Sequence, residues 1–334
     1  MTVLLEADNV TKVFRTGGSL VRRGTLTALE NFSLRIEGDR APVIAIAGES
    51  GSGKSTLVQL LLGILHPNSG HIRYQGTDLK AMTPDARRTF RREVQAIFQD
   101  PFGVYNPFYR VDHVLETPIR KFRLATNRDA MRRRIEEALR RVGLRPEETL
   151  GRYPHQLSGG QRQRIMIARA LLLQPRVIVA DEPVSMVDAS MRATILESLL
   201  TLNRELGIAL LYVTHDLTTA YQLCDDIYVL YRGVVAERGT VDRVIQDPQH
   251  PYTRLLVSSI PRPNPDQRWI EAEAVRADSQ PRSHAGCRYA GRCPHVMPRC
   301  TQKAPALIAT SSDRAVSCYL YDEVSTDQMT RQPL

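Results

Sequence analysis

The run Gly48-Glu49-Ser50-Gly51-Ser52-Gly53-Lys54-Ser55, followed by Thr56, fits the order G-x-x-x-x-G-K-[ST]. That order suits a polyphosphate. Glycines let backbone N–H groups turn inward around phosphate oxygens, and the start of a helix adds a favourable dipole. In such a loop Lys54 reaches the β- and γ-phosphates and Ser55 ligates Mg²⁺. The flanks agree: VIAIA reads as a strand before the loop, and TLVQLLLGIL as an apolar helix after it. A glycine-rich turn with a merely exposed lysine does not account for both flanks.

A second apolar run, Val177-Ile178-Val179-Ala180, ends in Asp181 and Glu182. Asp181 can hold Mg²⁺ through water, and Glu182 can polarise an attacking water. Alone, a strand ending in two carboxylates is too common to decide anything. Leu157-Ser158-Gly159-Gly160-Gln161, followed by RQRIMIARALL, is more specific. Its serine and bare glycines offer a hydroxyl and N–H groups to an anion at a helix start. An ordinary helix cap would explain Ser158 but not the whole string.

Positioning these groups requires alternating strands and helices. From Met1 to about Thr240, apolar runs such as VIAIAG, VQAIFQ, VIVAD and ALLYVTH alternate with amphipathic stretches, the pattern of an α/β fold. Met131, Ile135, Leu139 and Val142 recur at helical spacing before Gly143, within a mostly helical insertion over about 105–157. After Thr240 the texture changes, with Pro248, Pro251, Pro261, Pro263 and Pro265 punctuating the chain. The expected division is therefore 1–240 and 241–334, with the boundary between about 240 and 265. No internal repeat is visible, so one nucleotide cassette is expected.

The composition, 42% hydrophobic and 24% charged, excludes disorder, collagen and a small disulfide scaffold. No apolar run approaches the roughly 18 residues of a membrane span, and the start MTVLLEADNV lacks the features of a signal peptide. A cytosolic location is expected. The net charge of +9 is compatible with nucleic acid, an anionic membrane face, polyphosphate ligands or a solvated surface. Four of the five cysteines, Cys287, Cys293, Cys300 and Cys318, fall near the end with spacing C-x5-C-x6-C-x17-C. In a reducing compartment such clustering points to metal or cluster binding before disulfides. Four thiolates suit either a [4Fe-4S] cluster or structural Zn²⁺, although common zinc sites contain tight C-x₂₋₄-C pairs that are absent here. Cys224, alone in TAYQLCDDIYVLY, reads as a small buried hydrophobe.

With LSGGQ at 157–161 between the phosphate loop and the Asp181-Glu182 strand, residues 1 to about 240 resemble the ATP-binding-cassette (ABC) ATPase family. The resemblance implies a P-loop NTPase fold with a helical subdomain, and a dimer in which each ATP lies between one phosphate loop and the partner's signature. It implies further roles at single positions. Gln99 in AIFQDP matches the glutamine that touches Mg²⁺ and the attacking water, Phe14 in KVF the aromatic that stacks on adenine, and His215 in LLYVTHD the switch histidine at the γ-phosphate. Asp188 in SMVDAS matches the aspartate that couples the two ATP sites; Met186-Val187 stand where the family usually has Ala-Leu.

The tail narrows the resemblance. DPQHPYTRLLVSSIP and the segment CRYAGRCP, with FQDPFGVYNP and YPHQLSGGQRQRIMIARAL, are similar to ATPase subunits of oligopeptide and dipeptide importers. This implies a peripheral subunit at the cytoplasmic face of the membrane, paired with a second, paralogous ATPase. Two multispanning permease subunits and an extracytoplasmic solute-binding protein complete the expected machine, with no nucleic acid. It also favours [4Fe-4S] over Zn²⁺ in the cysteine-rich C-terminal extension. The alternatives are transport of an oligosaccharide or nickel chelate, and a soluble ABC ATPase acting on nucleic acid.

Overall fold

The computed structural model describes residues 3–16, 24–100, 102–260 and 285–322. Strands β1 (Val3–Thr16), β2 (Gly24–Glu37), β3 (Val43–Ala47), β4 (Ser69–Tyr74), β5 (Thr77–Asp78) and β6 (Val94–Ile97) come first. They are followed by β7 (Val177–Asp181), β8 (Ala209–Thr214), β9 (Asp226–Tyr231), β10 (Val234–Thr240), β11 (Ile308–Ser311) and β12 (Arg314–Val316). A small antiparallel sheet has the order β2-β1-β4-β5, and the main sheet the order β11-β12-β10-β9-β3-β8-β7-β6. In the main sheet β9, β3, β8, β7 and β6 are parallel, so their carboxyl ends share one edge.

The continuous apolar runs have a structural cause. Every residue of VIAIA in β3 and of ALLYVT in β8 is buried. Parallel strands covered on both faces need an apolar residue at each position. Successive side chains point to opposite faces. Val43, Ala45 and Ala47 therefore enter one core, shared with helices Val111–Phe122, Arg128–Arg141 and Gly159–Leu171. Ile44 and Ile46 enter the other, shared with helix Lys54–Leu61 and the antiparallel sheet.

The helix anticipated around 129–142 runs Arg128–Arg141. Asn127 caps it by accepting the Ala130 N–H at 2.8 Å. Met131, Ile135, Leu139 and Val142 are all buried, and Gly143 at φ 70° takes the left-handed turn that ends the run. Cys224 is buried in the first core.

From β3 the chain passes to β6, β7 and β8 on one side, while β9 lies on the other. Such a switch point opens a crevice beyond the carboxyl ends of the strands, where loops can meet a ligand.

The segment after Thr240 is stitched into the same sheet. β12 pairs antiparallel with β10, with Glu237 opposite Val316 and Gly239 opposite Arg314. The buried Arg314 guanidinium meets the fully buried Glu237 carboxylate at 2.6 Å, and that carboxylate also accepts the N–H groups of Gln249 and His250. Burying a charge is costly unless it is paired and hydrogen-bonded, and both conditions hold here. Met1 and Thr2, and the Pro261, Pro263 and Pro265 of the expected boundary region, lie outside the described residues.

Beside this pair, buried His250 caps helix Pro251–Ser258 through Nδ1, which accepts the Tyr252 N–H at 3.0 Å. Burial pushes its pKa down from 6.5 to about 4. A folded-state value below the unfolded one means that the unfolded chain binds more protons between those pH values. Stability is then fully present above 6.5 and is lost as pH falls toward 4. The expected loss is about 3 kcal/mol. Urea midpoints measured from pH 7 to 4 should fall more steeply for wild type than for His250→Asn, which keeps an acceptor but does not titrate; parallel slopes would refute the assignment.

Candidate nucleotide-binding and hydrolysis site

The phosphate loop joins β3 to helix Lys54–Leu61. Its glycines are required by space as well as by conformation. A Cβ on Gly48 would lie 2.3 Å from the Leu230 carbonyl oxygen, and one on Gly53 would lie 2.4 Å from that of Ala28. Among the described residues, the buried Ser52 hydroxyl has no hydrogen-bond partner. Lys54 Nζ donates, among the described residues, to the Gly48 and Glu49 carbonyls at 2.7 and 3.0 Å. Burial lowers the Lys54 pKa, against the opposing pull of Glu182, Asp181 and Glu49. An orphaned hydroxyl and a buried ammonium inside a glycine loop fit incoming phosphate oxygens. Ser55 is exposed beside them and Thr56 half-buried.

The carboxylates sit at the end of β7. Burial raises the Asp181 pKa, the neighbouring Glu182 raises it further, and Lys54 opposes both. Glu182 stands at φ 45°, a left-handed conformation that non-glycine residues adopt at a cost and that recurs at functional sites. It is held there by its own N–H donating to the Val213 carbonyl at 2.8 Å and by the Ser185 hydroxyl donating to its carbonyl at 3.0 Å. Its side chain bridges two elements: Gln99 Nε2 donates to Oε2 at 2.9 Å, and His215 Nδ1 lies 3.0 Å from Oε1. Gln99 follows β6 and His215 follows β8, so adjacent parallel strands deliver all three groups to one edge of the sheet.

The other sequence-derived residues do not join this constellation within the chain. Among the described residues, no hydrogen bond or ion pair links Leu157, Ser158, Gly159, Gly160 or Gln161 to the phosphate loop. Ser158 and Gln161 instead form a reciprocal cap at the start of helix Gly159–Leu171: Ser158 Oγ accepts the Gln161 N–H at 3.2 Å, and Gln161 Oε1 accepts the Ser158 N–H at 2.9 Å. A Cβ on Gly159 or Gly160 would meet only ordinary contacts at 3.5 Å. Packing inside this chain therefore does not demand those glycines. Asp188 is exposed at the start of helix Ala189–Leu206 and makes no side-chain cap. Half-buried Phe14 lies on β1 with Lys12 Nζ 5.3 Å from its ring centre.

Cys287, Cys293, Cys300 and Cys318 line one cavity of about 20 Å³ together with Tyr289 and Met297. Burial pushes the Cys287 thiol up to about 11 and raises those of Cys293 and Cys318. All four thiols are free, and among the described residues no group of three or more His, Cys, Asp or Glu is disposed to hold a single metal ion.

The motifs gave no sign of two further features. Tyr252 and Arg292 contact Glu49 of the phosphate loop from more than 200 positions away. A groove of about 470 Å³ lies between helix Pro84–Glu93 and the helices that follow Gln99, lined by Arg91, Tyr105, Arg110, Lys121, Phe122 and Arg169.

Comparison with known proteins agrees with this geometry. Residues 29–185 match the family described as ABC transporter, and residues 236–300 match the oligopeptide/dipeptide transporter C-terminal region. The oligopeptide transport ATP-binding protein OppF of Escherichia coli K12 is 38% identical over 302 residues, 89% of each chain. The chain belongs to the ATP-binding subunits of oligopeptide/dipeptide ABC transporters. The dipeptide transport ATP-binding protein DppF of the same organism is 37% identical over 97% of this chain and 96% of its own length. Among solved structures of ABC proteins, the dimeric post-hydrolysis state of the cassette MJ0796 bound to ADP and Pi has a TM-score of 0.62 at 30% identity, covering 71% of this chain and 99% of that one. CbiO1 from Clostridium perfringens, part of the transporter complex cbiONQ, has a TM-score of 0.62 at 28% identity, covering 74% and 92%. As an ABC subunit of this branch, the chain is an ATPase with an α/β cassette fold, and its family implies membrane permease partners.

Proposed function

We propose that this ATPase hydrolyses MgATP at the interface with a second, paralogous ATPase subunit, and thereby energises import of oligopeptides or dipeptides through two permease subunits fed by a solute-binding protein. The observation that carries the reading is Glu182, held between Gln99 and His215 beside the half-buried Asp181 and the buried Lys54.

The phosphate loop, with Lys54, would hold the β- and γ-phosphates, and Ser55, Asp181 and Gln99 would surround Mg²⁺. Bound Mg²⁺ supplies positive charge that offsets the charge developing on the transferred phosphoryl group. Glu182 orients a water in line with the γ-phosphorus and accepts its proton as the new P–O bond forms and the bond to the β–γ bridging oxygen breaks. ADP and phosphate leave. His215, paired with Glu182, would contact the γ-phosphate, and Phe14 would stack on adenine. Leu157 to Gln161 would close over the partner's ATP, with Asp188 coupling the two sites; bare glycines with no packing duty in their own chain support that reading.

Peripheral attachment at the cytoplasmic face follows from the same reading. No helix among the described residues is long and apolar enough to cross a membrane. The groove, with the exposed Tyr109 in its wall and basic residues around it, supports docking of a permease segment carrying apolar and acidic residues. Membranes solubilised gently should yield this chain together with multispanning subunits; recovery with ribosomal or DNA-associated proteins instead would overturn the transporter reading.

Cys287, Cys293, Cys300 and Cys318 are proposed to bind a [4Fe-4S] cluster that ties down the extension. Four thiols around one cavity support the donor set. Structural Zn²⁺ needs all its thiolates about 2.3 Å from a single ion, whereas a cluster takes each thiolate on a different iron. Among the described residues no such convergent group is present, and the preference for a cluster over Zn²⁺ rests on the resemblance to peptide-importer ATPases. A cavity of about 20 Å³ holds little more than one water, so the thiols must spread to admit it. Protein purified without oxygen should contain about four iron and four acid-labile sulfide per chain, with broad visible absorption. Colourless protein with zinc, or folded and active protein with neither metal, would refute the cluster.

A further inference from the structure

Among the described residues, the C-terminal extension meets Glu49 of the phosphate loop by two independent contacts. Tyr252 Oη accepts the Glu49 backbone N–H at 2.9 Å. The Arg292 guanidinium grips the Glu49 carboxylate with both terminal nitrogens, at 3.0 and 3.3 Å. From inside the loop, Lys54 Nζ donates to the Glu49 carbonyl at 3.0 Å. The N–H, carbonyl and carboxylate of this one residue are thus all engaged, two of them by the extension.

The bracing groups are packed among aromatic rings. Tyr252 is fully buried, its ring 4.5 Å from that of Tyr231 at the end of β9 and 5.6 Å from that of Tyr289. Tyr231 and Tyr289 meet edge to face at 5.2 Å, and the Arg292 guanidinium lies 5.9 and 5.8 Å from their ring centres. Arg292 immediately precedes Cys293, and nearby Arg288 pairs with Glu30 on β2. A planar guanidinium bound at two points fixes direction as well as distance. Aromatic rings thus surround both braces.

We propose that Arg292 and Tyr252 are positioning residues of the ATP site: acting through Glu49, they hold the phosphate loop in its nucleotide-ready conformation, which makes the C-terminal extension part of the nucleotide-binding machinery. A loop ordered in advance loses less conformational freedom when phosphate binds, and affinity rises accordingly. The inference rests on the ATP site described above. MgATP binding by the wild-type chain is the control that separates failure of that site from failure of this inference.

The test is the dissociation constant for MgATP on the full-length chain, read by displacement of a fluorescent ATP analogue. The melting temperature without nucleotide and the metal content of the extension are measured alongside. Tyr252→Phe removes one oxygen and keeps the buried ring; MgATP binding should weaken about 3- to 10-fold, the worth of one net hydrogen bond. Arg292→Gln should weaken it about 10- to 100-fold, the worth of a charge-assisted pair, and Arg292→Lys should restore part of that loss. Glu49→Ala combined with Arg292→Gln should be no worse than the stronger single change, because both act through one contact. Affinities within about twofold of wild type for both Tyr252→Phe and Arg292→Gln would overturn the proposal. So would losses that multiply in the double variant. Should Arg292→Gln fail to fold, Tyr252→Phe decides alone.

Discussion

Glu182→Gln is expected to lower steady-state phosphate release from the assembled transporter by a factor of about 10²–10⁴, the usual worth of a positioned general base. MgATP binding should survive within a few-fold. The local hydrogen bonds explain why the loss should fall on chemistry alone. In the native site both carboxylate oxygens are used, one accepting from Gln99 Nε2 and the other beside His215 Nδ1. An amide can keep this geometry by accepting from Gln99 and donating to a neutral His215 whose Nδ1 is unprotonated. Shape is preserved while the capacity to take a proton from water is lost. Phosphate release near the wild-type rate would remove Glu182 from the proposed role.

Ser158→Arg should abolish ATP-dependent closure with the partner subunit and reduce hydrolysis at least about 100-fold, as loss of a transition-state contact does. The chain's own phosphate loop should still bind ATP, since no hydrogen bond or ion pair among the described residues joins Ser158 to it. The substitution also removes a helix cap worth about 1 kcal/mol. Ser158→Ala separates bulk from chemistry: it loses the cap and the hydroxyl but adds no bulk, so ATP-dependent closure should survive in it. If Ser158→Arg dimerises with the partner as readily as wild type in MgATP, Leu157 to Gln161 do not face a partner's nucleotide.

How much of this was legible in the sequence depended on how local the determining interactions are. The phosphate loop was readable because its strand, loop and helix are contiguous, and because Gly48 and Gly53 are fixed by steric contacts that no other residue satisfies. The helix over Arg128–Arg141 was readable from its apolar spacing and the glycine after it. Gln99 and His215 carry no local pattern that marks them out. Residue chemistry alone would have left them aside, and family resemblance named them. Their meeting at Glu182 depends on the order β8-β7-β6, a non-local pairing that strand composition does not encode. The stitching of the extension was invisible for the same reason. Arg314 and Glu237 are 77 positions apart and Arg292 and Glu49 are 243 apart, and a lone arginine in a proline-punctuated tail reads as solvated charge. The cysteine cluster was visible as composition, yet its cavity required residues 285–322 to pack against His250 and Pro251.

The most direct test of the central claim is uptake of radiolabelled di- and oligopeptides by cells lacking this chain and complemented with wild type or with Glu182→Gln. Both proteins are first confirmed at equal abundance in the membrane fraction. The account predicts that uptake is lost without the chain, returns with wild type and does not return with Glu182→Gln. Peptide uptake restored by Glu182→Gln, or undiminished when the chain is absent, would contradict it.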